Sequence, residues 1–155
     1  MSGYIQNLRE LVGTRPLVMA AAGAFIINDK GQILLQQRTD NNKWGLPGGA
    51  LEPGEKVEET AKREALEETG LTINNLKLFG VYSGEELHYT YPNGDEVYIV
   101  TTIFYTRDYA GRLRLDNSES KELVFFDLSD IPVGEINPPD RPVIRDLIDK
   151  YESLK

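Results

Sequence analysis

The stretch Gly49–Leu71, GALEPGEKVEETAKREALEETGL, carries seven glutamates (Glu52, Glu55, Glu58, Glu59, Glu64, Glu67 and Glu68) against Lys56, Lys62 and Arg63. Its net −4 is half of the formal charge of the whole chain, −8. A solvated acidic helix face is the simplest account of such a run, but the spacing argues against it. The pattern predicts a helix from about Val57 to Thr69, stopped by Gly70. At about 100° per residue, Val57, Ala61 and Ala65 form an apolar face, with Glu64 and Glu68 within about 20° of its Val57 edge. Glu67 lies beside that face, while Glu59, Lys62 and Arg63 point outward. Like charges one turn apart repel, and more strongly once desolvated. No lysine or arginine shares the face, so a divalent cation is the economical counter-charge. Oxygen donors alone select Mg²⁺, Mn²⁺ or Ca²⁺. Mg²⁺ held by a few carboxylates completes its shell with water and substrate phosphates, so the helix points to chemistry on phosphate esters or anhydrides.

Upstream, Thr39 to Glu55 is dense in Gly and Pro, including Trp44-Gly45-Leu46-Pro47-Gly48-Gly49. A loop of that length in a compact domain is usually functional. Before it, the apolar run Val18–Ile27, the turn Asn28-Asp29-Lys30-Gly31 and the strand opening at Ile33-Leu34-Leu35 predict a hairpin. Tyr4, Ile5, Leu8, Leu11 and Val12 predict a short amphipathic helix over 3–12, which could pack on its own domain or across a homodimer. Downstream, strands are expected over 76–82, 86–91, 98–107 and 121–127, with turns at Pro92-Asn93-Gly94 and Ala110-Gly111. A final helix is expected, capped by Asp140 and striped by Ile144, Leu147, Ile148 and Tyr151. The reading is one α/β domain over residues 1–155, with its core at about 17–152.

Composition narrows the function classes. Seventeen basic residues against 25 acidic ones oppose binding to DNA or to an anionic membrane surface. The absence of cysteine excludes thiol catalysis and thiolate metal sites, and a single histidine excludes a multi-imidazole zinc centre. No apolar run approaches the 18 or so residues of a spanning helix, and no signal peptide is visible. A cytoplasmic location is the expectation.

The spacing Gly49-(5)-Glu55-(7)-Arg63-Glu64-Ala65-Leu66-Glu67-Glu68-Thr69-Gly70-Leu71 resembles the signature box of the Nudix hydrolases, over residues 49–71. Every charged and glycine position matches; Ala65 stands where a bulkier aliphatic residue is usual. The resemblance implies the family's α/β/α sandwich, with a mixed β-sheet between helices. It implies Mg²⁺-dependent hydrolysis, with Mn²⁺ as a substitute, of a pyrophosphate bond in a nucleotide substrate. Nucleotide sugars, dinucleoside polyphosphates, ADP-ribose and nucleoside triphosphates are all within that class. By the same resemblance Glu64, Glu68 and the carbonyl of Gly48 would hold the metal. Glu67 would be a further ligand or the general base, and Arg63 would orient carboxylates by pairing with Glu67 or Glu55. A further acid is expected before the last strand, Glu119 in preference to Glu122. Arg38 is a candidate for a substrate phosphate. Tyr89 falls eighteen residues beyond the box, where dinucleoside polyphosphate hydrolases tend to have a tyrosine. Leu87 stands where ADP-ribose pyrophosphatases tend to have a proline. Gly49 and Gly70 look conformational, and Trp44 reads as a structural plug. A catalytically silent nucleotide sensor or interaction domain on the same fold is the alternative.

Overall fold

The computed structural model describes residues 3–115 and 119–154. In chain order the elements are α1 (Gly3–Val12), β1 (Leu17–Ile26), β2 (Ile33–Arg38), β3 (Trp44–Gly45), β4 (Gly48–Ala50) and α2 (Val57–Thr69). After these come β5 (Leu71–Ile73), β6 (Lys77–Tyr82), β7 (His88–Thr90), β8 (Glu96–Thr106), β9 (Tyr109–Gly111), β10 (Ser120–Phe126) and α3 (Arg141–Lys150). The main sheet is mixed. Its path is β4-β1-β8-β6, with β7 also on β8, and β1 runs parallel to β8 from Leu17↔Val97 to Ile26↔Thr106. A second sheet has the order β10-β2-β3, and β5 pairs with β9.

Strand β1 decides the layering because its two faces carry different side chains. Ala22, Ala24 and Ile26 pack on α2 through Ala61 and Ala65, in one core cluster. Phe25 joins Val143, Ile144 and Leu147 of α3 in the other. The sheet system therefore lies between two helices as an α/β/α sandwich. Ala65 is fully buried against a strand of alanines, so the small residue lets α2 sit close to the sheet.

Several local expectations are corrected. The predicted β1–β2 hairpin is a single bridge, Ile27↔Ile33, after which the strands enter different sheets. The Asn28 turn does form, with the Gly31 N–H bonded to the Asn28 carbonyl and Gly31 at φ 76°. Pairing beyond it is lost because β1 finds β8 on one edge and β4 on the other. Ala110-Gly111 is no turn: it belongs to β9, whose partner β5 had no sequence signal beyond three residues. The expected strand over 86–91 begins as a 3₁₀ turn, Glu85–Leu87, and only His88–Thr90 pairs. Asp140 precedes α3 but makes no side-chain cap; its Oδ2 accepts from Asn137 Nδ2 at 3.3 Å. Ile148 is 38% exposed, and Val143 takes its place in the buried stripe. Trp44 meets Phe126 edge-on at 5.0 Å, as a plug would.

A cleft built around two buried carboxylates

Helix α2 starts at Lys56, whose backbone N–H donates to Glu59 Oε1 at 2.9 Å, and stops at Gly70, which has φ 81° and bonds back to the Leu66 carbonyl. Between these ends the helical period carries Glu64 and Glu68 into the protein, where they are 5% and 4% exposed. They border a cleft of about 400 Å³ that runs across the face of β1 and β8. Burial raises the affinity of both carboxyls for a proton, and Glu64 pushes Glu68 further, well above the ordinary carboxylate range.

The Glu68 carboxylate accepts from Gln36 Nε2 at 3.0 Å and from the Gly48 N–H at 2.9 Å. Gln36 is oriented in turn by Ser120, whose Oγ donates to its Oε1 at 2.5 Å. Glu68 is thus fixed from both sheets by neutral donors. Glu64 has a cationic neighbour, contrary to the expectation that none would share the face. Arg63 Nη1 reaches round the helix to Glu64 Oε1 at 2.9 Å. The same guanidinium grips Glu55 through Nε at 2.7 Å and Nη2 at 2.9 Å, and touches Glu67 at 3.5 Å. Glu55 is therefore the main partner of Arg63, which holds its carboxyl down at about 2. Thr60 Oγ1 and the Glu52 N–H complete the Glu55 shell, tying the preceding loop to α2.

Gly49 has a role that the sequence did not reveal. It has no positive φ, so conformational freedom is not the reason for glycine. A Cβ there would lie 2.5 Å from the Glu64 carboxyl carbon. The missing side chain is the space that Glu64 occupies. Gly48 is similarly constrained, with a Cβ position 2.7 Å from the Ala22 carbonyl oxygen.

Of the other expected residues, Glu119, Arg38 and Tyr89 line the cleft together with Glu64, Glu68 and Gly48. Glu122 does not; it is an exposed residue of β10 just past the irregularity at Ser120. Glu67 is exposed on α2, outside the cleft lining. Glu119 is backed by its main chain, whose carbonyl accepts from the Thr39 N–H at 3.0 Å. Arg38 forms a two-point pair with Asp40 at 2.9 and 2.8 Å. The Tyr89 hydroxyl accepts from Asn41 Nδ2 at 2.9 Å, and its ring meets Tyr91 edge-on at 4.9 Å. His88 pairs with Glu96 at 2.6 Å on β7 and β8 and is not among the residues lining the cleft.

Sequence reasoning missed a second polar group in the cleft. Asn41 Nδ2 also donates to Asn137 Oδ1 at 2.8 Å, and Asp140 follows at the head of α3. Burial raises the Asp140 carboxyl to about 6, against the opposing pull of Arg38. The signal available was a Gln and an Asn where apolar residues dominate, Gln36 on β2 and Asn137 before α3; both are buried.

Two buried carboxylates on successive turns, with Glu119 also lining the cleft, are hard anionic donors that fit a divalent cation. Among the described residues, no three acidic or histidine side chains converge into a ready-made cage. That donor set suits an ion completing its shell with water and substrate, as Mg²⁺ does.

A model of the NUDIX domain matches residues 17–147. An ADP-ribose pyrophosphatase of Methanocaldococcus jannaschii is 38% identical over 116 residues, 73% of this chain and 64% of its own length. A MutT-like protein of Streptomyces ambofaciens is 39% identical over 67 residues, 43% of this chain and 44% of its own. The chain thus spans less than two thirds of the length of these relatives. Among solved structures, a MutT NUDIX hydrolase from Burkholderia pseudomallei superposes with a TM-score of 0.69 at 27% identity, covering 84% of this chain and 97% of that one.

Proposed function

This chain belongs to the Nudix family, and from that membership we propose that it hydrolyses a phosphoric anhydride bond in a nucleoside diphosphate derivative, using a hard divalent cation. The observation that carries the proposal is the inward pair Glu64 and Glu68 lining a cleft of about 400 Å³. Glu64 and Glu68 would hold Mg²⁺ or Mn²⁺, with the Gly48 carbonyl and Glu119 as further oxygen donors. Bound there, the ion would supply charge neutralisation at the anhydride and a more acidic water.

The chain's own residues do the rest. Arg63 and Glu55 lock α2 to its loop, so that the carboxylates keep their positions as substrate enters. Glu67, exposed and touching Arg63 at 3.5 Å, is a further ligand or the base that takes a proton from water. Arg38 and Tyr89, which also line the cleft, would meet a substrate phosphate and the nucleoside. Residues 1–155 are read as one domain of this kind. The archaeal relative named for ADP-ribose makes that compound a substrate to test first, although Leu87 stands where such enzymes tend to have proline. No helix among the described residues is long and apolar enough to cross a membrane, and the acidic balance opposes DNA as a partner.

Phosphate release from ADP-ribose, nucleotide sugars, nucleoside triphosphates and dinucleoside polyphosphates, with and without Mg²⁺ and with phosphatase or pyrophosphatase added to convert the monoester or pyrophosphate products, tests the reading. Metal-dependent turnover that disappears in Glu68→Gln is expected. Turnover that survives chelation would overturn the metal assignment. Saturable nucleotide binding without turnover would favour a sensor.

A further inference from the structure

Helix α1 has an unusual standing in this fold. It buries no residue, Leu11 is 81% exposed and Tyr4 47%, and ten residues are too few for a stable helix in isolation. Yet one of its side chains is nearly enclosed. Arg9 is 11% exposed and donates through Nη2 to the Glu96 carbonyl at 2.7 Å. Its Nη1 donates to the Arg15 and Gly13 carbonyls at 2.6 and 3.0 Å, and its Nε lies 3.7 Å from Asp95. A single guanidinium thereby ties α1 to the β7–β8 turn and to the entry of β1.

The tie has a consequence for the cleft. Arg9 and Ile5, one helical turn apart on α1, both line it, beside Asn93 and Asp95 of the β7–β8 turn. The strand register fixes where this wall stands. Gly23, paired with Gly48 near Glu68, lies next to Ile103, whereas Arg9 bonds to Glu96, adjoining Val97. Val97 and Ile103 are separated by about 20 Å of strand at ~3.3 Å per residue. The cleft therefore has two ends, an anionic one at α2 and an outer one at α1. The outer end is floored by Met19, Val97 and Ile99, an apolar surface on one sheet face, with Arg9, Asn93 and Asp95 beside it. A flat heterocycle with polar edges fits such a floor, and a pyrophosphate does not.

We propose that α1 is the outer wall of the substrate cleft, that Ile5 contacts the nucleoside part of the substrate, and that Arg9 is the positioning residue that holds the wall in place. The inference rests on the hydrolase reading for its ligand and adds the element that selects it. Residues outside the Nudix match at 17–147 thereby contribute to nucleoside binding.

Calorimetric titration of the full chain in Mg²⁺ with ADP, GDP and inorganic pyrophosphate tests this. Arg9→Ala and Ile5→Ala should each weaken ADP or GDP binding by about five- to tenfold, the size of one lost tie or apolar contact. Pyrophosphate, too short to reach α1, should bind with unchanged affinity. Arg9→Lys should recover only part of the loss, because an ammonium lacks the fork that spans three carbonyls. Hydrogen exchange should show α1 amides losing protection in Arg9→Ala alone. Unchanged nucleotide affinity in both variants overturns the wall. An equal loss for pyrophosphate reduces Arg9 to a general structural role and also overturns it. A wild-type chain that binds none of the three removes the hydrolase reading itself, which is a different failure. If Arg9→Ala does not fold, Ile5→Ala still decides.

Discussion

The two ends of the cleft are held in opposite ways. At the α2 end, Glu64 and Glu68 project from a thirteen-residue helix packed on the sheet; Glu68 meets donors from β2 and β4, and Glu64 is held by Arg63, itself anchored to Glu55. At the α1 end, a helix without a buried residue among those described is tied to the sheet through Arg9. The contrast follows from what each end must tolerate. Two like charges brought out of water separate unless several contacts hold them, so the acidic end is over-determined. A wall against an apolar floor needs only to be placed, and a few hydrogen bonds at the rim suffice.

Four substitutions sharpen or break that contrast. Glu68→Gln has the largest expected effect, a loss of metal-dependent turnover of roughly a thousandfold, since the ion's charge stabilisation amounts to several kcal/mol. Its melting temperature should hold or rise, because a buried carboxyl with a raised pKa is replaced by a neutral amide. Retained turnover would remove Glu68 from the metal site. Gly49→Ala comes next: its Cβ would displace the Glu64 carboxylate, and a misplacement near 1 Å costs about a hundredfold in rate. A crystal structure of the variant with Glu64 unmoved would contradict that account.

Asp140→Asn probes the polar group between the two ends. In the folded chain this carboxyl is raised from 3.8 to about 6, so its protonated form is favoured by folding. That contribution is complete below the unfolded value and lost as pH rises through about 6. The wild type should therefore lose about 1–2 kcal/mol between those limits, and the asparagine variant should not. Parallel denaturant melts across that range would measure the difference; identical pH profiles would dismiss Asp140 as the source. Glu55→Gln should have the smallest effect, about 1 kcal/mol at neutral pH for a partly exposed ion pair. Here the sign reverses. Glu55 is lowered from 4.5 to about 2, so its contribution is present above 4.5 and disappears as pH falls through 2. The gap between variant and wild type should close over that acid range.

How much was legible beforehand differs element by element. Helix α2 was readable to its last residue, Val57–Thr69 with Gly70 as its stop, because helical period and cap are local properties of the chain. The inward aim of Glu64 and Glu68 followed from the same period. The reach of Arg63 to Glu64 did not, since a long side chain can leave the direction its Cα assigns. Gly49 was read as a turn residue and proved to be a space for a carboxylate, which no local pattern encodes. Glu119 was preferred to Glu122 from the sequence; the irregular register after Ser120 accompanies that difference, with Glu119 lining the cleft and Glu122 outside it.

The acidic helix, its two inward carboxylates and the family to which they point were readable from local pattern alone, because all of these lie within 23 contiguous residues, Gly49–Leu71. Tertiary structure alone decided that Leu17 lies beside Val97, that Gln36 and Ser120 steady Glu68, and that Asn41 meets Asn137. Strand alternation specifies which face is apolar but not which strand will be the neighbour. That choice is made by packing among residues distant in the chain, and with it came both walls of the cleft.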